Sequence, residues 1–236
     1  MTVKDDEPQR QVSMAVSAGM VLLRKAASDF HYLLNRGYPR KTSLELIGNR
    51  YGLSYDQRHL LHRGVFSDGD AKARKGKKIP LRALHDQDLA IDGHNVLITI
   101  EAALSGRPLI LSNEGFIRDI SGLSGDFRKT GATERALCLV LDLLKKVKPC
   151  YTLVLFDAPI SKSGLLAREV RERMRREGLP GDAQALKVPE KMLVDFRGIV
   201  ATSDTAIIDS SKAVFDLAGH LVKNRIKPKS LLRLKT

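Results

Sequence analysis

The chain contains no tryptophan, and only five tyrosines and seven phenylalanines among its 236 residues. An aromatic cage or a broad platform of stacked rings has little to be built from. There are two cysteines, Cys138 and Cys150, and their spacing matches neither a redox pair nor a zinc site. Cys138 falls in a helical apolar pattern and is expected in a core. Two isolated thiols point to a reducing compartment, so the expected location is cytoplasmic. No apolar run reaches the ~18 residues that a membrane span needs. The stretch from Val12 to Leu23 has some character of a signal-peptide core, but Asp5, Asp6 and Glu7 precede it, and no membrane partner is expected. A Walker A loop and a Gly-x-Gly-x-x-Gly fingerprint are both missing, so nucleotide-cofactor chemistry has no motif behind it.

What is present in excess is positive charge, a formal +13. It is unevenly spread. Residues 1–84 hold 16 lysines and arginines against 8 aspartates and glutamates, whereas residues 85–220 hold 18 against 19. The last sixteen residues, 221–236, add six basic side chains and no acidic one. A near-neutral body between basic flanks suits a protein that binds an anionic polymer and keeps acids for chemistry.

Apolar positions Val12, Val16, Met20, Leu23, Ala27, Phe30 and Leu34 recur at three- and four-residue steps, which predicts a helix from Gln11 to Asn35. Two shorter helices follow, with Ser43 and Ser54 as expected caps and Gly52 between them, in the outline of a helix-turn-helix. Residues 1–66 are thus expected to be a small all-helical domain. Residues 67–84 carry Gly, Pro and a basic run, and are expected to be a linker in which Lys72, Arg74, Lys75, Lys77 and Lys78 contact nucleic acid. From residue 85 to 220, strand patterns alternate with helix patterns, which favours an α/β domain with a mostly parallel sheet. Residues 105–131 read as an insertion, a helix is expected over Lys212–Asn224, and residues 221–236 are expected to be a basic tail.

Three strand patterns end on a carboxylate. Leu89–Ile91 leads to Asp92, Tyr151–Phe156 to Asp157, and Gly198–Thr202 to Ser203 and Asp204. In a parallel sheet the three acids share the carboxyl edge, where open α/β sheets bind ligands. Each is also a competent helix cap, which is the plainer explanation for any one of them. Gathered like charges call for a cation, and oxygen-only donors suit Mg²⁺ or Mn²⁺. The loop after the middle strand, with Ser161, Lys162 and Ser163, offers further contacts to a strand of nucleic acid.

Asp92-Gly93-His94-Asn95 after the first strand, Glu134 at a helix start, Asp157 after a middle strand and Thr202-Ser203-Asp204 after a late one resemble the PIN-like nuclease superfamily, and within it the NYN branch. The resemblance covers roughly residues 85–220. The whole chain also resembles a prokaryotic two-domain family in which such a domain follows a small helical one. The first resemblance implies a Rossmann-like, PIN-type three-layer α/β/α fold and metal-dependent phosphodiester hydrolysis, usually of RNA. It implies that Asp92, Asp157 and Asp204 hold the metal, that Asn95 accompanies the first acid, that Glu134 is a helix-borne acid, and that Asp209 is available for a further acidic role. The alternatives are a nucleic-acid-binding protein without catalysis, and another metal-dependent phosphate-handling enzyme.

Overall fold

The computed structural model describes residues 7–120, 129–228 and 231–234, with side chains from residue 19 onward. The predicted first helix is α1 (Glu7–Asn35), and its Leu23, Ala26, Ala27 and Phe30 are buried against α2 (Arg40–Arg50) and α3 (Tyr55–Gly64). Helix α2 begins at Arg40, after Pro39. The expected cap Ser43 is therefore a buried residue inside the helix. Ser54 does cap α3: it accepts from the Gln57 N–H while the Gln57 side chain returns to its own N–H, a reciprocal capping box.

The segment expected as a linker forms another helix, α4 (Asp68–Lys77), capped by Ser67 with acids in its first turn and bases in its last. Three of its supposed phosphate contacts are engaged inside the protein. Arg74 donates to both Asp209 oxygens at 2.6 and 2.8 Å. Lys77 Nζ donates to the Ile208 carbonyl at 3.0 Å, and Lys78 Nζ, just past the helix, to Asp216 at 2.8 Å. Carboxylates of the chain itself neutralise Arg74 and Lys78, and carbonyls hold Lys77 in place, leaving Lys72 and Lys75 as the exposed members of the run.

Beyond α4 the order is β1 (Asp88–Asp92), α5 (Gly93–Leu104), β2 (Leu109–Leu111), β3 (Ile117–Asp119), α6 (Gly131–Val147), β4 (Tyr151–Asp157), α7 (Ser163–Arg176), β5 (Gly181–Leu186), α8 (Pro189–Asp195), β6 (Ile199–Ala201), α9 (Thr205–Ser210), β7 (Val214–Phe215), α10 (Leu217–Leu221) and β8 (Leu231–Arg233). Five strands form one sheet in the order β5-β4-β1-β6-β7, every neighbouring pair parallel. Leu89 and Ile91 enter the large core with α5, α6, α7 and α10, while Ala90 meets Leu193 of α8 and Ile207 of α9 on the other face. Covered on both faces, β1 is apolar without alternation, as buried parallel strands are. Cys138 is exposed, not in the core; α6 buries Ala136, Leu137, Val140, Leu141 and Leu144 along its other side. Among the described residues no helix is long and apolar enough to cross a membrane.

The insertion and the tail build a second sheet together. β2 pairs antiparallel with β3 and parallel with β8, in the order β3-β2-β8; residues 121–128 of the insertion lie outside the described residues. The expected basic tail is thus partly a strand, and Leu234 follows it into the helical core beside Ile110. A Cβ on Gly64 would collide with the Ile110 side chain, so the end of α3 approaches β2 only because that position is glycine. The helix expected over Lys212–Asn224 gives way to β7, and α10 starts after Asp216, whose side chain caps it.

The helical region and the α/β body are joined by one buried acid. Glu114, fully buried, accepts from Arg74 at 3.0 Å and from Arg118. Arg118 also donates to the Ser203 carbonyl at 2.7 Å and the Arg63 carbonyl at 3.1 Å. Removing the carboxylate leaves two guanidinium groups buried with less compensation. Glu114→Gln is expected to lose about 3–5 kcal/mol in chemical denaturation, the usual cost of breaking a buried ion pair from one side. Asp209→Asn, at a carboxylate that is half exposed, should lose distinctly less.

Candidate functional site

The strand registers set the height of each acid. Asp92 is level with Leu155 of β4, and the β1–β6 pairing, with Ile91 level with Ala201, makes it level with Thr202. Asp157 and Asp204 each lie two residues further along. At about 3.3 Å per strand residue, that places Asp157, the last residue of β4, roughly 6–7 Å above Asp92 along the strand direction, whereas Asp204 lies past the end of β6, in the turn that enters α9. The site is therefore stepped, with one buried acid at its base and one acid on either side of the rim. It lies where the connections from β1 depart for β4 on one side while β6 returns on the other, the switch point at which such sheets bind ligands.

Asp92 is buried, and although it occupies the position before α5, its side chain makes no capping hydrogen bond. Its Oδ2 accepts from the Thr202 hydroxyl at 2.8 Å. Burial raises its pKa to about 7; the Thr202 hydroxyl opposes the rise, the charges of Asp204 and Asp157 add to it, and the backbone N–H of Asn95 weakly opposes it. The same Thr202 hydroxyl oxygen accepts from the Asp204 N–H at 3.0 Å, so one hydroxyl couples the base of the site to its rim. Asp204 itself caps α9, with Oδ1 accepting from the N–H groups of Ala206 and Ile207 at 2.9 and 3.1 Å. Asp204 thus has full cap geometry, whereas Asp92 directs Oδ2 to Thr202 and meets the start of α5 only through the weak contact with the Asn95 N–H.

Asn95 belongs to the same cluster. Its Oδ1 accepts from the backbone N–H of Ser203 at 2.9 Å and from the Ser203 hydroxyl at 3.0 Å, which turns its amide nitrogen outward as a donor. On the Asp157 side, Nδ1 of the buried His94 lies 2.9 Å from the carboxylate and 3.0 Å from the Asp157 backbone nitrogen. Either the N–H donates to the ring or the ring donates to the carboxylate, according to tautomer. A Cβ on Gly93 would strike the Phe156 ring, so glycine allows α5 to start this close to β4. The motif Asp92-Gly93-His94-Asn95 therefore carries four separate jobs, of which the sequence reading singled out the first and last.

Other expected residues have partners or settings of their own. Glu134 is paired with Arg173 and Lys129 on α6, and Arg173 holds its carboxyl below the usual range. Asp209 is held by Arg74, which lowers its pKa as well. Ser163 is buried and donates to the Ile160 carbonyl at 2.6 Å, whereas Ser161 and Lys162 are exposed on the loop that follows Asp157. Thr202, His94 and Arg118 were missed by the sequence reading. Thr202 and His94 are neighbours of the acids in sequence, which was an available signal; Arg118 reaches Ser203 from 85 residues away and had none.

Among the described residues no three His, Cys, Asp or Glu side chains stand together as a group able to hold a metal ion. The stepped registers account for this. Mg²⁺, however, is commonly held by one or two carboxylates plus waters and substrate phosphate, not by an all-protein cage. A carboxylate raised first by burial and then by the charges of Asp204 and Asp157 fits that kind of ion, and no Cys and His set of the zinc kind stands beside it among the described residues.

Residues 81–220 match the family described as Domain of unknown function (DUF5616), and residues 22–77 match the one described as Protein of unknown function (DUF434). An uncharacterized protein of Methanocaldococcus jannaschii is 34% identical over 203 residues, spanning 85% of this chain and 97% of the relative. No solved structure matches. The stepped acids at Asp92, Asp157 and Asp204 all fall inside the longer match, and the chain belongs to the DUF5616 family.

Proposed function

We propose that this protein hydrolyses phosphodiester bonds in nucleic acid, with RNA the favoured substrate, at the stepped acidic edge and with Mg²⁺ or Mn²⁺. The observation that carries the reading is Asp92: a buried carboxylate at the sheet's switch point, raised to about 7 by burial and then by two more acids, with no basic partner among the described residues. Its placement among strand-end acids is the ground for the PIN-like reading of the fold as well. Asp92 and one rim acid are the residues that would hold the cation. A bound divalent cation supplies polarisation of a phosphoryl oxygen and a water of lowered pKa.

The chain's own residues do the rest. Thr202 fixes the Asp92 rotamer and links it to Asp204. Ser203 orients Asn95 so that its amide donates toward the edge, where a phosphate oxygen is a suitable acceptor. His94 supports Asp157 from beneath, and Ser161 and Lys162 are exposed beside that acid. The second reading is nucleic-acid binding without cleavage. The observation favouring it is that no ready three-donor metal group exists among the described residues.

The acid should report itself in stability. Its folded pKa, about 7, exceeds the unfolded value of 3.8. The folded state therefore binds the extra proton between those values, and stability falls as pH rises through that window. Asp92→Asn abolishes this loss. The variant should gain over wild type progressively from about pH 4 to 7, by at most on the order of 4 kcal/mol at the plateau. Thermal melts across that range measure it. Parallel pH profiles for the two proteins would show that Asp92 ionises without penalty.

Mn²⁺ should stabilise wild type above neutral pH by mass action and Asp92→Asn much less. Cleavage of a labelled single-stranded RNA should fall at least about a hundredfold in Asp92→Asn. Thr202→Val, which removes only the orienting hydroxyl, should lose about 10–100-fold in metal affinity or rate. Metal stabilisation equal in wild type and Asp92→Asn would refute the cation site. Binding of RNA without any cleavage would favour the second reading.

A further inference from the structure

The wall formed by Ser203, Asp204 and Thr205 borders a second feature that hydrolysis alone does not use. It closes one side of an open cavity of about 280 Å³ whose other side comes from the helical region, including Arg40, His62 and Arg63. Arg74 and Arg118 also line the cavity, but both are already paired with Glu114. Arg40 and Arg63 are differently placed. Arg40 donates to the His62 carbonyl and lies over the Phe66 ring, 4.3 Å from its centre, with no carboxylate partner among the described residues. The Arg63 side chain makes no hydrogen bond or ion pair among the described residues. Asp70 and Asp204 are the acids on the lining, and one Asp204 oxygen is turned into α9.

The local charge balance remains positive. Arg40 is lowered to about 10 by loss of hydration and then by Arg74 and Arg118, which outweigh Glu114 and Asp70. His62 keeps an outer face open to solvent, yet it is lowered to about 4, first where its ring loses hydration and then by Arg40, His59 and Arg63. Outward from the cavity, α3 carries a row of rings. His59 lies 6.5 Å from His62, and Tyr55 stacks on His59 at 5.9 Å with only 12° between the planes. Tyr55 is 76% exposed, so its ring is not there to fill a core.

We propose that the cavity seats a phosphate group of a nucleic-acid strand, with Arg63 and Arg40 as its charge partners and the Tyr55–His59 stack as the face on which an adjoining base rests. Guanidinium forks match phosphate oxygens, and a ring face accepts any base. This rests on reading the acidic edge as a phosphodiester site and deepens it. One surface of the cavity is Asp204 itself, so a strand seated there is held beside the rim of the acidic step. It also gives the helical region a direct part in holding substrate.

The test is metal-free binding of short single-stranded oligouridylates to the full-length protein in EDTA, so that cleavage is silent. Wild type, Arg63→Gln, Arg63→Lys and Tyr55→Ala are compared, each checked for an unchanged melting temperature. Arg63→Gln is expected to bind roughly tenfold more weakly, with the slope of log K against log salt reduced by about one. Arg63→Lys should recover the slope. Tyr55→Ala should lose about tenfold with the slope intact, since stacking releases no counterions. A loss confined to 5′-phosphorylated strands supports a terminal phosphate in the cavity; an equal loss with 5′-hydroxyl strands supports an internal one.

Equal affinity and slope for Arg63→Gln and wild type overturn the proposal, as does a response to inorganic phosphate without any strand binding. The two readings fail separately. Metal-dependent cleavage by Arg63→Gln at wild-type KM removes the phosphate seat and leaves hydrolysis standing. The Arg63 binding loss, with no cleavage by wild type, keeps the seat and removes hydrolysis.

Discussion

Glu114 holds the structure together by being a charge that water cannot reach. A carboxylate with no solvent exposure is tolerable only when cations close on it, and here Arg74 arrives from α4 and Arg118 from β3. Each arginine brings more chain with it. Arg74 extends to Asp209 at the end of α9, and Arg118 pins the carbonyls of Arg63 and Ser203. The helical region, the β2–β3 hairpin and the carboxyl end of β6 are thereby set in one arrangement. The position of Ser203, and through it Asn95, follows from a buried ion cluster that touches neither directly with its carboxylate.

The acidic edge is the contrasting case. Asp92 is buried like Glu114 but has a hydroxyl and an amide where Glu114 has two guanidinium groups. The fold neutralises one buried acid completely and leaves another to be neutralised by a proton or a cation. That asymmetry is costly to maintain in a protein rich in lysine and arginine, and its location at the switch point of the sheet is the ground on which the proposed function stands. The cavity that Asp204 also lines carries Arg40 and Arg63, so positive charge stands on the other side of this acid and not against Asp92.

Much of the scaffold was legible because it is written in local patterns. The apolar run Leu89–Ile91, the β-branched and aromatic run ending at Phe156, and the Ser54 capping box each specify their element with information held within a few residues. Charge was less legible. The basic run 72–78 looks from composition like a solvated binding segment, yet Arg74, Lys77 and Lys78 are satisfied by acceptors 37 to 138 residues away. Cys138 was misplaced for a related reason: a helix that is apolar for most of its length still has an outer side, and which residues face outward depends on the neighbouring layer.

For the candidate site, the sequence alone determined that three strands end on aspartates and that a glycine and an asparagine frame the first of them. Strand-end chemistry is local, and local chemistry survives in one dimension. Only the tertiary structure decided that Asp92 is stepped beneath Asp157 and Asp204, because strand register is set by pairing partners distant in the chain. It alone decided that Asp204 caps a helix while Asp92 does not. It alone brought Arg40 and Arg63 of the helical region across to Ser203, since a cavity walled by residues 140 positions apart exists only after packing has closed it.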